Sequence, residues 1–331
     1  MEALEREIEE RAKKFKDYEI QTIFFGGGTP SLIDPFLIQK IIQKIHQKFR
    51  TKKYLEISIE CNPESVDAAR LKIYKKSGIT RFSLGVQSLN PKTLLRVARP
   101  HDSKTIFKAL EIFKSARIKN FGTDLIMGLP YQTLQSFQQE VEKILSYEPK
   151  HLSFYFLSYD TKKIDLFLKE CPQEDEQIKM YEWLCDRLKK AGFIHYEVSN
   201  WAKPGFECEH NKRYWEQKDY LGLGLGAHSI VDGKMWENQK NFDEYLKNPT
   251  KIENEMTIDE ELKRMEYIML KLRTHQGIDL QYYRKQFGNE AALLQNAESY
   301  IVSQDLQKTA TALKATEKGF LLLDKITKDL L

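Results

Sequence analysis

The chain has 331 residues, of which 41% are hydrophobic and 30% charged, as is typical of a soluble protein with a substantial core. Its 52 basic and 48 acidic side chains leave a formal net charge of +4, which does not indicate a nucleic-acid partner. No apolar run approaches the roughly 18 residues of a membrane span, and the charged N-terminus lacks a signal-peptide core. We therefore expect a cytoplasmic protein with no membrane span and no nucleic-acid partner.

A strand followed by three glycines stands near the start of the chain. Apolar residues at helical spacing occupy the first fifteen positions, and the run at 22–25 is typical of a buried strand. It leads into Gly26-Gly27-Gly28 and then Thr29-Pro30. Glycines adopt positive φ and let a ligand approach the main chain, and their unpaired N–H groups can form a polar nest. The turn therefore predicts a ligand site at a strand end, with a simple connecting turn as the alternative.

Strands and helices alternate with short connections as far as residue 156. The predicted strands lie at 22–25, 55–60, 81–86, 121–127 and 152–156, and the longer predicted helices at 34–49, 66–76, 103–116 and 134–145. This alternation indicates parallel βαβ units. Glycine and polar residues follow several strands, at the rim where a β/α barrel has its active site. Five strands are visible and the chain opens on a helix, so we predict an α/β fold, an incomplete β/α barrel without its first strand.

The pattern changes after residue 158. A helix is predicted at 173–190 and a strand at 194–198, whereas residues 199–215 are aromatic and polar without a period and are predicted to form a long ordered loop. Residues 222–229 resemble a second glycine-rich turn, but no convincing helix follows as a dinucleotide site would require. A change in composition near residues 248–255 predicts a boundary, beyond which three helices and a strand at 313–316 outline a small winged-helix module. Thr257 is its expected first helix cap.

Four cysteines are scattered along the chain, at Cys61, Cys171, Cys185 and Cys208. No two of them have the close spacing of a zinc site, a redox pair or an iron–sulfur motif. Most are interpreted as packed thiols in a reducing compartment.

Seven motifs, in order and spacing, carry a family resemblance. They are Phe25–Ser31, Glu60–Glu64, Phe82–Ser88, Thr123–Pro130, Tyr196–Asn200, His210–Trp215 and Gly222–Ser229. On these residues the chain resembles the radical S-adenosylmethionine (SAM) family of oxygen-independent coproporphyrinogen III oxidase, and more narrowly its HemW branch, regarded as haem chaperones. The resemblance implies a partial radical-SAM-type barrel at 1–248, with a haem-motif loop at about 199–229. A mainly α, winged-helix-like C-terminal domain would follow at 255–331.

The resemblance also implies two sets of binding residues. Those for SAM are Gly27, Gly28, Thr29, Glu60, Gln87, Arg99 and Asp124. Those for haem are His210, Asn211, Tyr214 and Trp215, with the His210 imidazole as the expected iron ligand. Cys208 is an alternative soft ligand. As an alternative, each residue of the SAM set could be a solvated residue of the rim or part of a structural ion pair. The alternative for His210 is a purely structural role.

One motif of the family is missing from the sequence. The cysteines at C-x-x-x-C-x-x-C spacing that bind its [4Fe–4S] cluster do not occur, and in the family they lie just before the helix on which this chain opens. We expect a chain truncated relative to its gene, or else a cluster-less derivative. Three functions stay open: a haem-binding protein that delivers haem to an unidentified acceptor protein, a radical SAM oxidoreductase acting on a porphyrinogen if the full gene carries the cysteines, and an inactive remnant.

Overall fold

The computed structural model describes residues 1–157 and 168–331. These residues divide into two compact units. One unit comprises residues 22–39 and 56–207, and the other comprises residues 1–21, 40–55 and 208–331. The boundary near residues 248–255 that the sequence suggests for a separate C-terminal domain stays a prediction.

The first half of the chain alternates between strands and helices. The strands are β1 (Glu19–Phe25), β2 (Arg50–Cys61), β3 (Arg81–Gln87), β4 (Phe121–Met127) and β5 (His151–Phe156). The helices are α1 (Glu2–Lys14), α2 (Pro35–Lys48), α3 (Ala68–Lys76), α4 (Pro91–Arg96), α5 (Ser103–Ser115) and α6 (Leu134–Leu145). Helix α7 (Glu174–Lys190) and the short strands β6 (Ile194–Glu197) and β7 (Asn200–Ala202) follow.

These strands form one sheet in the order β1-β2-β3-β4-β5-β7-β6. The pairs β2–β3, β3–β4 and β4–β5 are parallel, while β7 pairs antiparallel with both β5 and β6. Phe82, Phe121 and Phe154 of the sheet contact Phe113 of α5 and Phe137 of α6 through ring pairs 5.4–5.9 Å apart. The sheet with its covering helices confirms the α/β class predicted from the sequence, part of a β/α barrel.

Several helices of this region begin at a residue whose side chain caps the helix. Asp67, Asn90, Asp102 and Thr133 each accept a hydrogen bond from a backbone N–H in the first turn of the next helix. Such a cap satisfies one of the free N–H groups at a helix start and stabilises the helix by about 1 kcal/mol. The helices that follow β2, β3 and β4 therefore begin soon after the strand ends, and the polar residues of those ends lie at the sheet edge.

A second, antiparallel sheet follows in the order β10-β9-β8. Its elements are helix α8 (Glu209–Trp215), strands β8 (His228–Val231) and β9 (Lys234–Asn238), helix α9 (Phe242–Lys247) and strand β10 (Ile252–Thr257). The prediction of one long loop at 199–215 was wrong, since this stretch contains β7 and α8. Helix α8 has only seven residues and none of them is buried, so it leaves no apolar period in the sequence.

A buried carboxylate holds the glycine-rich turn that precedes β8. Glu7 of α1 is 0% exposed and accepts hydrogen bonds from the Gly224 N–H (2.8 Å), the Tyr245 hydroxyl (2.8 Å) and the Asn238 side-chain amide (2.7 Å). Asn238 also donates to the Gly224 carbonyl at 2.9 Å. Burial raises the pKa of Glu7, and these donors oppose the shift. The turn is thus fixed by contacts within its own unit.

The C-terminal elements have the order of a winged helix, as the sequence predicts. They are α10 (Glu260–Leu272), β11 (Ile278–Asp279), α11 (Leu280–Phe287), α12 (Ala291–Val302), β12 (Leu306–Lys308), β13 (Ala312–Ala315), α13 (Glu317–Phe320) and α14 (Leu323–Leu330). Strands β11, β13 and β12 form a small antiparallel sheet. The helix cap was predicted wrongly: Thr257 pairs with Lys234 in β10, and Asp259 caps α10 by accepting from the Leu262 N–H at 2.8 Å.

Across the described ranges, no helix combines the length and the apolar character that a bilayer crossing requires.

Candidate functional site

A cavity of about 280 Å³ opens at the carboxyl ends of the parallel strands. Six of the seven residues predicted to bind SAM line it, namely Gly28, Thr29, Glu60, Gln87, Arg99 and Asp124. The seventh, Gly27, contacts this lining directly, because its N–H donates to the Glu60 carboxylate Oε2 at 3.2 Å. The seven predicted residues, which lie up to 97 positions apart in the chain, therefore meet in one pocket, here called the strand-end pocket. Such a meeting is expected where parallel strands end at the same edge of a sheet.

The glycine turn contributes backbone rather than side chains to this strand-end pocket. Gly27 and Gly28 have φ of +78° and +61°, conformations that residues with a Cβ rarely adopt. A Cβ at either position would project into open space, with no atom within 4 Å. The segment after the turn is linked to the end of β2 by the hydroxyl of Ser31, which accepts a hydrogen bond from the Asn62 N–H at 3.1 Å. A ligand can consequently approach the main chain of Gly27 and Gly28 closely.

Two carboxylates supply the negative charge of the pocket. The Ser83 hydroxyl lies 2.9–3.0 Å from both oxygens of Asp124. Burial raises the pKa of Glu60, and the nearby charge of Asp124 raises it further, against the Gly27 hydrogen bond. Burial also raises the pKa of Asp124, while hydrogen bonds from Ser153 and Ser83 and the charge of Arg81 lower it. Two incompletely compensated acids in one cavity favour a cationic ligand.

Gln87 and Arg99 add polar groups that have no partner in the described part of the chain. Gln87 is 8% exposed, has a φ of +60°, and its Oε1 is buried without a hydrogen-bond partner among the described residues. Such an atom is costly unless a ligand or water pairs with it. Within the same ranges the guanidinium of half-buried Arg99 makes no hydrogen bond or ion pair. Its planar fork matches a carboxylate.

The residues predicted to bind haem lie on helix α8. His210 Nε2 and the Tyr214 hydroxyl are within hydrogen-bond distance at 2.9 Å, and the two rings meet edge to face at 5.1 Å. Tyr214 packs in turn against Tyr220, with ring centroids 4.7 Å apart. Trp215 follows at the end of the helix, and its indole Nε1 is buried without a partner in the described part of the chain. Asn211 occupies the helix turn between them.

The imidazole of His210 is neutral at pH 7. Burial of the ring lowers its pKa to about 4, and the positive charge of Arg213 contributes to this shift. Neutral imidazole is the form that binds iron. The alternative ligand Cys208 is the N-cap residue of α8 and is buried, so its thiol is less accessible to a ligand than the half-buried ring of His210.

Comparison with known proteins gives a consistent result. Residues 2–144 match the radical SAM superfamily. The solved coproporphyrinogen III oxidase HemN of Escherichia coli, described as a radical SAM enzyme, has the same fold, with a TM-score of 0.85 at 22% identity over 99% of this chain and 82% of that one. The heme chaperone HemW of Bacillus subtilis is 29% identical over 91% of this chain and 86% of its own length. The heme chaperone HemW of Lactococcus lactis is 31% identical over 95% and 86%, respectively. This chain belongs to the HemW family of radical SAM proteins.

Membership of the HemW family implies SAM and a [4Fe–4S] cluster as cofactors. The chemistry of the strand-end pocket is compatible with SAM, because the lining combines two carboxyl groups, the Arg99 guanidinium and a Gln87 Oε1 that no described residue pairs with. The four cysteines do not fit a cluster. All are buried, and each lies on a different segment of the chain. Burial raises the pKa of the Cys61 thiol to about 12, whereas cluster ligands are thiolates. The prediction that the cluster ligands are missing stays a prediction.

Sequence reasoning did not single out several residues that position these groups. Ser31 and Ser83 lie inside the recognised motifs, and their position beside glycines or strand ends was the available signal. Glu7 gave no such signal. It stands among other charged residues of an amphipathic helix, where the expected position of a glutamate is solvent.

Proposed function

We propose that this protein binds haem on helix α8 and passes it to an acceptor protein; its HemW relatives are named heme chaperones. The observation that carries the proposal is the position of the His210 imidazole beside the Tyr214 ring, with centroids 5.1 Å apart, on a helix without buried residues. A neutral imidazole can bind iron, and the aromatic ring of Tyr214, which Tyr220 supports edge to face, offers an apolar surface to a macrocycle. Haem is cargo in this proposal, held well enough to be carried and loosely enough to be released.

We further propose that the strand-end pocket binds SAM. Glu60 and Asp124 would face the cationic groups, Arg99 the carboxylate, and the turn at Gly27–Thr29 the methionine ammonium. Bound SAM supplies radical chemistry when an electron donor cleaves it. Because the four thiols do not fit the cluster that would act as this donor, no such step is assigned to the chain. A radical oxidoreductase acting on a porphyrinogen stays the alternative for a full gene that carries the cluster cysteines.

A titration with iron(III) protoporphyrin tests the haem proposal. We expect His210→Ala to shift the Soret band and to weaken binding about ten-fold or more, which corresponds to roughly 1.4 kcal/mol. His228→Ala is the matched control from the same unit. His228 is also accessible, with its side chain 59% exposed, and it already pairs with Glu237 at 2.9 Å.

Two results would contradict the proposal. If the two variants titrate like the wild type, His210 does not hold haem. If the wild type itself binds no haem with a defined stoichiometry, the inactive-remnant alternative is favoured instead.

A further inference from the structure

Arg213 lies on the same side of helix α8 as His210 and Tyr214. At about 100° per residue, Arg213 and Tyr214 fall about 60° and 40° to either side of His210, whereas Lys212 lies about 160° away. Residues three apart on a helix have Cβ atoms about 5–6 Å from each other. The position of Arg213 in the sequence motif does not reveal this, because Lys212 and Arg213 read as two equivalent basic residues.

The two cations differ in how their charges are used. Lys212 Nζ forms an ion pair with Glu209 at 3.0 Å, one turn earlier on the helix. Arg213 is half-buried, and its guanidinium makes no hydrogen bond or ion pair with any residue in the ranges 1–157 and 168–331. Its charge is close enough to His210 to lower the pKa of that imidazole. A partly desolvated guanidinium without a counter-charge is unfavourable in the unliganded protein and available to an anion.

Haem combines three chemical features in one molecule: a metal, an apolar ring and two propionate carboxylates at one edge. The side of α8 that carries His210 and Tyr214 offers a ligand for the metal and an aromatic wall for the ring. We propose that Arg213 is the propionate-binding residue of this surface and pairs with a haem carboxylate through its planar fork. This inference rests on the proposed haem-binding function and adds the group that would set the orientation of the macrocycle.

The electrostatic surroundings favour Arg213 over other cations for this role. Two acids close to Arg213 in the sequence act on other cations: Glu209 pairs with Lys212, and the charge of Glu216 raises the pKa of Lys271 against the effect of burial. Among the residues 1–157 and 168–331, no carboxylate pairs with Arg213 and would compete with an incoming one. Since the surface is open to solvent, we expect a modest effect rather than that of a buried ion pair.

The experiment compares iron(III) protoporphyrin IX with its dimethyl ester, in which both propionates are neutral, in the same dilute detergent. We expect Arg213→Gln to weaken binding of the free acid about three- to ten-fold and that of the diester less than two-fold. Arg213→Lys keeps the charge but loses the fork, and should lie between wild type and Arg213→Gln. Lys212→Gln, the adjacent cation on the opposite side, is the matched control and should leave both affinities unchanged.

The outcomes separate this inference from the proposed function. If Arg213→Gln binds the free acid as tightly as wild type does, or weakens both porphyrins equally, the propionate assignment is overturned. Should His210→Ala still be about ten-fold weaker in that case, haem binding on α8 stands without it. If neither His210→Ala nor Arg213→Gln changes any affinity, the proposed function fails and the propionate assignment fails with it.

Discussion

The strand-end pocket and helix α8 offer their ligands different kinds of group. The pocket presents the main chain of Gly27 and Gly28 together with carboxylates fixed by their own strands, and each group is set by the sheet register. Helix α8 presents side chains from one short helix without buried residues. A site made from backbone depends on a few irreplaceable glycines, whereas a site made from exposed side chains can be adjusted one residue at a time. Each kind of site therefore responds to a different kind of substitution.

The largest expected effect concerns the glycine turn. A valine at position 28 would place its branched side chain in the open space of the pocket, where Gly28 now has no neighbour for a Cβ within 4 Å. We expect Gly28→Val to weaken SAM binding at least 100-fold, or about 2.7 kcal/mol, while haem binding by the same variant is unchanged. Isothermal calorimetry with SAM and a Soret titration with iron(III) protoporphyrin measure the two affinities.

Gly205→Val is the control for backbone strain. Gly205 belongs to the same unit, has a φ of +79° and likewise meets no atom within 4 Å of a Cβ, but it does not line the pocket. Both variants should lose about 1–3 kcal/mol of stability through positive φ, which thermal unfolding reports. Equal SAM affinity in wild type and Gly28→Val would show that the glycine turn does not hold this ligand.

A smaller effect is expected from pH. The pKa values of Glu60 and Asp124 are raised by burial, so these groups take up protons at a higher pH than ordinary carboxyl groups do. Binding of cationic SAM requires the ionised form. Its affinity should therefore fall as pH decreases, beginning above 4.5, the usual value for a glutamate, and approaching about ten-fold per pH unit for each proton taken up.

The stability of the unliganded protein should move the other way. A carboxyl group whose folded-state pKa is raised destabilises the fold at neutral pH, and this cost is relieved as pH falls. Glu60→Gln keeps the shape of the side chain but removes its titration, so it should reduce the pH dependence of SAM binding. Calorimetry between pH 5.5 and 7.5 on wild type and variant measures this. A pH dependence equal in both proteins would assign the titration to other groups.

Much of the parallel sheet could be predicted because its elements are long and periodic. Strand β4 (Phe121–Met127) and helix α6 (Leu134–Leu145) have the bounds that the pattern predicts. The strand-end pocket also followed, since polar residues after parallel strands share one rim. Helix α8 could not be predicted from the sequence, because a helix with no buried residue shows no periodic pattern of apolar residues. Thr257 and Asp259 are both good cap residues, and only the pairing of β10 with β9 decides between them.

The smallest expected effect concerns the hydroxyl of Tyr214 on helix α8. His210 Nε2 lies 2.9 Å from the Tyr214 hydroxyl, so a metal that binds this nitrogen must replace that hydrogen bond. Because the pKa of His210 is about 4, no proton competes at neutral pH, whereas the Tyr214 hydroxyl does compete for this nitrogen. We expect Tyr214→Phe, which keeps the ring, to strengthen haem binding about two- to five-fold, the worth of a typical hydrogen bond of about 0.5–1 kcal/mol.

Tyr220→Phe is the matched control for this change. Tyr220 belongs to the same ring cluster, with its centroid 4.7 Å from that of Tyr214, and its hydroxyl has no hydrogen-bond partner among the described residues. Its removal should leave the haem affinity unchanged. A weaker affinity in Tyr214→Phe than in Tyr220→Phe would mean that the hydroxyl orients the imidazole toward iron rather than competing with it. Helix α8 would then present a pre-arranged pair, fixed by hydrogen bonding much as the strand-end pocket is fixed by its sheet.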